Sequence, residues 1–169
     1  MVLCIETATN LCSVALCSRE QVISVRESTE IKSHASMLTV FIDELLKGNG
    51  IRVRDLEAIA VGKGPGSYTG LRIGVSVAKG IAFGASLPVI GIETTLSMFW
   101  GMHPRLHNLT ADAENTLLCP LIDARRMEVY DAVYDAHGNI FREISADIIN
   151  ESSFTEIPES KRLIFFGDG

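Results

Sequence analysis

The fold is decided by a strand that ends in a glycine-rich turn and leads into a helix: Ala60-Val61-Gly62-Lys63-Gly64-Pro65-Gly66-Ser67-Tyr68-Thr69-Gly70-Leu71-Arg72-Ile73-Gly74. The apolar run over 56–62 predicts a short strand, and the spacing beyond the turn predicts a helix over 70–84. A glycine-rich turn at a helix start is an anion site in principle, through Gly64, Gly66 and Ser67. The turn lacks the residue order of a P-loop, so a tight strand-to-helix connection without a ligand is the competing interpretation.

The elements on either side of this turn predict the fold class. Three short strands are predicted over 2–6, 13–17 and 21–27, followed by a helix over 33–47 that Ser33 caps. A strand over 88–93 and a helix ending at 103 come after the glycine-rich segment. The order βββαβαβα is that of the ribonuclease-H-like, actin-like ATPase fold, which actin and sugar kinases share. The sequence therefore predicts an α/β fold of this class, which does not by itself give a function.

The second part of the chain repeats the opening of the first. Leu121-Ile122-Asp123-Ala124 precedes an apolar strand, just as Ile5-Glu6-Thr7-Ala8 does. Further strands are predicted over 117–122, 128–134, 140–149 and 163–166. We expect an N-terminal actin-like subdomain over 1–103, a linker loop over 104–116, and the start of a second actin-like subdomain over 117–169. The second unit is too short to repeat the helices and is predicted to be an incomplete copy.

Composition narrows the classes of function. The formal net charge is −6, so the chain alone gains no counterion-release affinity for a nucleic acid backbone. A signal peptide and an apolar run of membrane-spanning length are both missing from the sequence, which predicts a cytoplasmic protein that does not contact a membrane. The four cysteines form no C-x-x-C pair and the histidines are scattered. We therefore expect reduced thiols, no metal, no resident cofactor and no catalytic residue.

Two acidic loops are candidate sites for an anion or a nucleotide. Glu6, Thr7 and Thr9 come after the first strand, and in nucleotide-binding members of this fold such loops hold phosphate with N–H and hydroxyl groups. In the second loop Arg125 could bind phosphate by charge. A surface or interface ion pair is the alternative role for Arg125.

A stripe of small residues runs along the helix predicted over 70–84. Gly70, Gly74, Ala78 and Ala82 fall four residues apart, on one helix face. A glycine inside a helix costs roughly 1 kcal/mol relative to alanine, so several of them indicate a very close neighbour. That neighbour is either the sheet of the same domain or a helix of another chain, and we expect the latter.

The run over 60–74 resembles the signature G-P-G-S-[FY]-T-G-[LV]-R-I-G of the TsaB family, also called YeaZ. Pro88-Val89-Ile90-Gly91 and Ile122-Asp123-Ala124-Arg125 also match, and Glu6 stands where many relatives carry Asp. The resemblance implies a role in making N6-threonylcarbamoyladenosine at adenosine 37 of tRNAs that read ANN codons. The catalytic paralogue TsaD holds a metal with two histidines of an H-M-E-G-H segment. This chain has Thr94 and Met98 at the matching positions, which cannot replace two imidazoles.

The resemblance therefore implies a non-catalytic partner or scaffold subunit that dimerises with a TsaD-like catalytic subunit. It also implies docking by a TsaE-like ATPase, indirect contact with tRNA, and a homodimer through the same helices. The alternative for His34, at the start of the helix over 33–47, is a capping or partly buried role. The alternative function is an ATP-binding phosphotransferase or a peptidase-M22 glycoprotease-like metallopeptidase of the same fold. The expected partner interface comprises His34, Met37, Leu38, Val40, Phe41, Gly70, Leu71, Gly74, Ala78 and Ala82.

Overall fold

The computed structural model describes residues 1–29 and 33–169, apart from the side chains of Ser33, His34, Ala35 and His107. The chain divides into two compact units, Met1–Glu93 and Thr94–Gly169. The division precedes the boundary expected at residue 103, because Phe99 of the intervening helix is buried in a cluster with Leu118 and Tyr134. A helix that packs on the second sheet belongs with the second unit.

The first unit is a five-stranded mixed sheet with two long helices. Its elements are β1 (Val2–Glu6), β2 (Cys12–Cys17), β3 (Val22–Ser28), α1 (Ser33–Gly48), β4 (Ala58–Gly64), α2 (Tyr68–Ala85) and β5 (Val89–Glu93), with a 3₁₀ turn at Val53–Asp55. The strand order is β3-β2-β1-β4-β5. The first three strands form an antiparallel meander, and β4 and β5 join it in parallel. This is the predicted ribonuclease-H-like order.

One face of this sheet forms the core of the unit with α1 and α2. Alternate residues of β1 and β2 point to this face, because side chains of a strand alternate between the two faces of a sheet. Leu3 and Ile5 are therefore buried while Cys4 between them is half-buried. The helices contribute Leu38, Phe41, Ile42, Leu45, Leu46, Ala78 and Ala82 to the same cluster.

The second unit repeats the beginning of this topology. Its elements are α3 (Thr94–Met102), a 3₁₀ turn (His103–Arg105), α4 (Leu106–Leu109), β6 (Thr116–Arg125), β7 (Glu128–Tyr134), β8 (Ile140–Asp147) and β9 (Arg162–Gly167). The strand order β8-β7-β6-β9 has two antiparallel pairings and then one parallel pairing, as β3-β2-β1-β4 does. The predicted duplication is confirmed at the level of strand order.

Two connections in this unit have different structures: one contains a short helix and the other is a series of turns. The segment 104–116, expected as a loop, contains α4, because Leu106 is buried in the cluster around Phe99 and anchors a helical turn there. Between β8 and β9 the chain forms successive turns, and Phe154 and Ile157 of this segment pack on buried Leu117. Within the described part of the chain, no helix is both long and apolar enough to cross a membrane.

Candidate functional site

The loop after β1 is closed around the carboxylate of Glu6. One oxygen, Oε1, accepts hydrogen bonds from the backbone N–H of Thr7 at 2.8 Å and of Ala8 at 2.7 Å. Burial raises the pKa of Glu6, and these two N–H groups act against that rise. Thr7 and Ala8 are themselves buried. The predicted acidic loop is therefore a packed structure and not an open one.

The glycine-rich signature holds this loop in place. A Cβ built on Gly62 would lie 2.5 Å from Glu6 Oε2, one on Gly66 would collide with the carbonyl oxygen of Ala8, and one on Gly70 with that of Thr7. Contacts this short cannot be relieved when the neighbour is backbone. The signature therefore needs glycine at 66 and 70, because the backbone of the loop over 6–8 lies directly against them, whereas the neighbour of Gly62 is the side chain of Glu6.

Hydrogen bonds connect the same two segments. The N–H of Ser67 donates to the carbonyl of Ala8 at 2.6 Å, and Thr7 Oγ1 donates to the carbonyl of Gly70 at 2.8 Å. Ser67 also caps α2, because its Oγ accepts the N–H of Gly70 at 3.2 Å. Ser67 thus both caps α2 and ties the start of this helix to the loop after β1.

The remaining residues predicted to contact an anion are more dispersed. Gly64 adopts a φ of +108° beside Leu71, and Thr9 Oγ1 accepts the N–H of Leu11 at 3.2 Å. Arg125 belongs to the second unit, where its N–H donates to Asp123 Oδ1 at 2.7 Å. The structure brings Glu6, Thr7, Gly66 and Ser67 together within the first unit, and Arg125 is the last residue of β6 in the second unit.

The small-residue stripe of α2 corrects our expectation about its neighbour. Gly70, Gly74, Ala78 and Ala82 are all buried within the first unit. A Cβ on Gly74 would collide with Thr7 Oγ1, and Ala78 and Ala82 belong to the core under the helices. The close neighbour is the chain's own loop and sheet, so the stripe is an internal packing surface.

The other residues of the expected interface divide by exposure. Leu38 and Phe41 are core residues, which corrects their assignment to an interface. Met37 and Leu71 are half-buried, and Val40 is 40% exposed. The side chain of His34 lies outside the described residues.

The outward face of α2 carries a feature that the sequence reasoning missed. Phe83 is 90% exposed, and nothing lies within 4 Å of a Cβ built on Gly80 or Gly84. Ser76 and Lys79 are exposed on the same helix. The signal was available, because Gly80 and Phe83 fall on the helix face opposite Ala78 and Ala82.

A buried acid in the second unit was also missed. Asp131 of β7 is fully buried, and its nearest cation is Arg142 Nη1, 3.4 Å from Oδ1. Arg142 also pairs with Asp147 and, at 3.4 Å, with Glu156. Burial raises the pKa of Asp131 to about 6, against the attraction of Arg142. The signal was an acid in the middle of an apolar strand, although the sequence did not identify its partner.

Metal-ligating side chains are scattered among the described residues. Among them, no group of three or more His, Cys, Asp or Glu side chains is placed to hold a metal ion. Thr94, where the resemblance implies a metal-binding histidine in TsaD, is buried in α3, and Met98 lies half-buried four residues later.

Comparison with known proteins identifies relatives of the chain. Residues 22–157 match the family model described as TsaD, tRNA N6-adenosine threonylcarbamoyltransferase. The tRNA threonylcarbamoyladenosine biosynthesis protein TsaB of Haemophilus influenzae is 40% identical over 128 residues, covering 76% of this chain and 51% of that protein. TsaB of Buchnera aphidicola (subspecies Baizongia pistaciae) is 30% identical over 99% of this chain and 75% of its own length.

Solved structures give the same result. A Pseudomonas aeruginosa protein described as similar to peptidase YeaZ superposes with a TM-score of 0.77 at 27% identity, over 98% of this chain and 74% of that one. YeaZ from the same organism gives a TM-score of 0.67 at 31% identity, over 86% and 65%.

Fold and signature define an actin-like protein of the TsaD group, built from two related units. Within that group, the chain belongs to the TsaB (YeaZ) family. It spans 51% and 56% of the length of the TsaB proteins from Haemophilus influenzae and Escherichia coli.

Proposed function

We propose that this chain is a non-catalytic partner subunit that dimerises with a TsaD-like catalytic subunit. In this role it supports transfer of a threonylcarbamoyl group to adenosine 37 of tRNAs that read ANN codons. A TsaE-like ATPase docks on the pair, and tRNA contacts the chain only indirectly. The name of its relatives, tRNA threonylcarbamoyladenosine biosynthesis protein TsaB, supports the pathway.

The observation that carries the proposal is the outward face of α2. Phe83 is 90% exposed there, and a large apolar side chain in water gains free energy when a partner covers it. Gly80 and Gly84 leave bare backbone on the same helix, where a second helix can approach closely. The pairing surface that we propose is therefore this outward face, together with Val40 of α1, and a homodimer would use the same surface.

Two further observations favour an accessory role over catalysis. Thr94 and Met98 occupy the positions at which the resemblance places the metal ligands of TsaD. A hydroxyl and a thioether are poor ligands for a divalent ion that imidazole binds well. The net charge of −6 supports the view that tRNA is bound by a more basic partner.

The pairing surface is tested by Phe83→Glu in a binding assay with a TsaD-like subunit. A buried aromatic anchor contributes about 2 kcal/mol or more to an interface, so we expect the dissociation constant to rise at least tenfold. Val22→Glu is the matched control, since Val22 is 59% exposed on the edge strand β3. Equal affinities for Phe83→Glu and the unmodified chain would contradict the assignment of this face.

The function itself is tested by reconstitution. Threonylcarbamoyl transfer to tRNA should require the TsaD-like and TsaE-like proteins, and the chain alone should give no turnover. Calorimetry of the isolated chain with Mg-ATP and with zinc separates this function from a phosphotransferase or a metallopeptidase. Submicromolar binding of either ligand, or tRNA modification by the chain alone, would overturn the proposal.

A further inference from the structure

Two cysteines lie side by side on the first hairpin. Cys4 of β1 and Cys17 of β2 are free thiols whose Sγ atoms are 3.8 Å apart. A disulfide bond is about 2.05 Å long, so the two sulfurs are already in contact and need a further approach of only about 2 Å to bond. The other two cysteines, Cys12 and Cys119, are buried. Cys4 and Cys17 are therefore a candidate pair for a disulfide.

The register of the hairpin explains why these sulfurs meet. Cys4 is opposite Ala15 in β2. Cys17 is opposite Val2, two residues before Cys4, so the two cysteines are diagonal neighbours on one face of the sheet. Cys17 is also the last residue of β2, and the pairing of β2 with β3 shifts register between Leu16 and Cys17. Since a strand bends and twists more strongly at such an irregularity, the backbone at Cys17 can adjust to the geometry that a disulfide requires.

Accessibility separates this pair from the other cysteines. Cys4 and Cys17 are half-buried, so a small reagent can reach them, whereas Cys12 and Cys119 have no exposed surface. Burial, and after it the neighbouring sulfur of Cys17, raises the pKa of the Cys4 thiol to about 12. Cys4 is therefore protonated at neutral pH. Because the thiolate is the nucleophile of thiol–disulfide exchange, the first attack on a reagent comes from Cys17.

We propose that Cys4 and Cys17 form a reversible disulfide by exchange with a small-molecule disulfide, with Cys17 as the attacking sulfur and Cys4 as the resolving one. Cys17 loses its proton to solvent and attacks one sulfur of the reagent, whose S–S bond breaks, and one thiol leaves after taking up a proton. Cys4 then loses its proton and attacks the Cys17 sulfur of this mixed disulfide, which releases the second thiol. Two protein thiols are oxidised, and one reagent disulfide is reduced to two thiols.

The cross-link fastens the hairpin whose loop packs against α2. It encloses the segment between Cys4 and Cys17, which includes Thr7 beside Gly74. A disulfide restricts the unfolded chain, so the oxidised chain should unfold at a higher temperature than the reduced chain. This inference does not rest on the pairing surface on α2, so either can fail without the other.

Oxidised glutathione is the probe, and the mass of the intact 169-residue chain is the first readout. The unmodified chain should lose two hydrogens and carry no glutathione. Cleavage after glutamate should then leave peptide 1–6 joined to peptide 7–20 until a reductant is added. Cys4→Ser should stop at the mixed disulfide with one glutathione on Cys17, and Cys17→Ser should stay unmodified. Cys12→Ala is the matched control, because it removes the other thiol of peptide 7–20, and it should cross-link like the unmodified chain.

Several outcomes would refute the inference. They are an unchanged mass of the unmodified chain, a glutathione adduct that persists on it without a cross-link, a cross-link that survives in Cys17→Ser, and a disulfide that joins two copies of the chain. The first readout uses the unmodified chain, so it decides the question even if a serine variant does not fold. Cys4→Ala and Cys17→Ala then replace the serine variants, with the same expected masses.

Discussion

The loop after β1 and the loop after β6 occupy the same place in their sheets but hold their acids differently. Each lies at the end of the first strand of its sheet, carries an acid there and returns into an antiparallel strand. Glu6 is enclosed and accepts two successive N–H groups, whereas Asp123 is exposed and accepts the N–H of Arg125. Within residues 1–169 the two acids therefore have different surroundings, although their strands share a topology.

The difference arises from the segments that lie against each loop. In the first unit the parallel strand β4 continues into the glycine-rich turn and α2, which lie against the loop over 6–8. In the second unit Gly167 of β9 likewise has no room for a Cβ, but its neighbour is the carbonyl of Leu121 in the strand itself. The loop there is instead shaped by left-handed backbone, with positive φ at Arg125, Arg126 and Met127.

The largest expected effect comes from disrupting the packing of α2 against the loop after β1. Gly74→Leu should lower the free energy of unfolding by at least ~3 kcal/mol, because the added side chain collides with Thr7 and cannot leave the core. Urea denaturation of the 169-residue chain measures the change.

The control for this prediction lies on the same helix. Gly80→Leu should leave the free energy of unfolding unchanged or raise it by up to ~1 kcal/mol, since the site is open and leucine favours helix. If both variants lost a similar free energy of unfolding, the two faces of α2 would be packed alike, which would contradict the structure.

A smaller effect concerns the buried acid of the second unit. The pKa of Asp131 rises from 3.8 to about 6 on folding, so between these pH values the folded chain retains a proton that the unfolded chain has lost. The free energy of unfolding should therefore fall by roughly 1 to 3 kcal/mol as pH rises through that window. Asp131→Asn should remove this part of the pH dependence, measured by urea denaturation at pH 4 and pH 7.

Asp123→Asn is the matched control for that measurement. Asp123 is exposed near the end of β6, so its substitution should leave the slope of stability against pH close to that of the unmodified chain. If Asp131→Asn and Asp123→Asn show the same slope, the buried carboxylate has no special proton affinity.

The smallest expected effect concerns backbone strain in the turn between β6 and β7. Met127 has a φ of 69° and is 86% exposed, so its side chain contributes backbone strain and little packing. Met127→Gly should raise the free energy of unfolding by about 0.5 to 1 kcal/mol, because glycine adopts this conformation without a Cβ clash. Thermal unfolding reports the gain, and Met127→Ala, which retains the Cβ, should not show it. A gain in the alanine variant would assign the effect to the methionine side chain instead.

The strand order of both units could be predicted because its signals are local. Alternating apolar residues and turn-forming residues mark each strand, and the order of elements then restricts the topology. The strands β1, β7 and β9 lie within one residue of their predicted bounds. The resemblance of the segment over 60–74 to a family signature was also a local property.

The direction in which α2 faces could not be predicted in the same way. Helical spacing shows that Gly70, Gly74, Ala78 and Ala82 share a face, but the same spacing suits packing on the chain's own sheet or on another chain. The deciding contact joins Thr7 to Gly74, residues far apart in sequence. The pairing of Asp131 with Arg142 similarly depends on the register of β7 and β8, which contains irregularities.

The tight contact between Thr7 and α2 has a mechanical consequence. The inner side of the helix is locked to the first hairpin by Gly70 and Gly74, while its outer side is bare at Gly80 and Gly84. A close-packed junction transmits displacement instead of absorbing it. The inner side of α2 and the β1–β2 hairpin are therefore one packed body, so a substitution that displaces either of them must also displace the other.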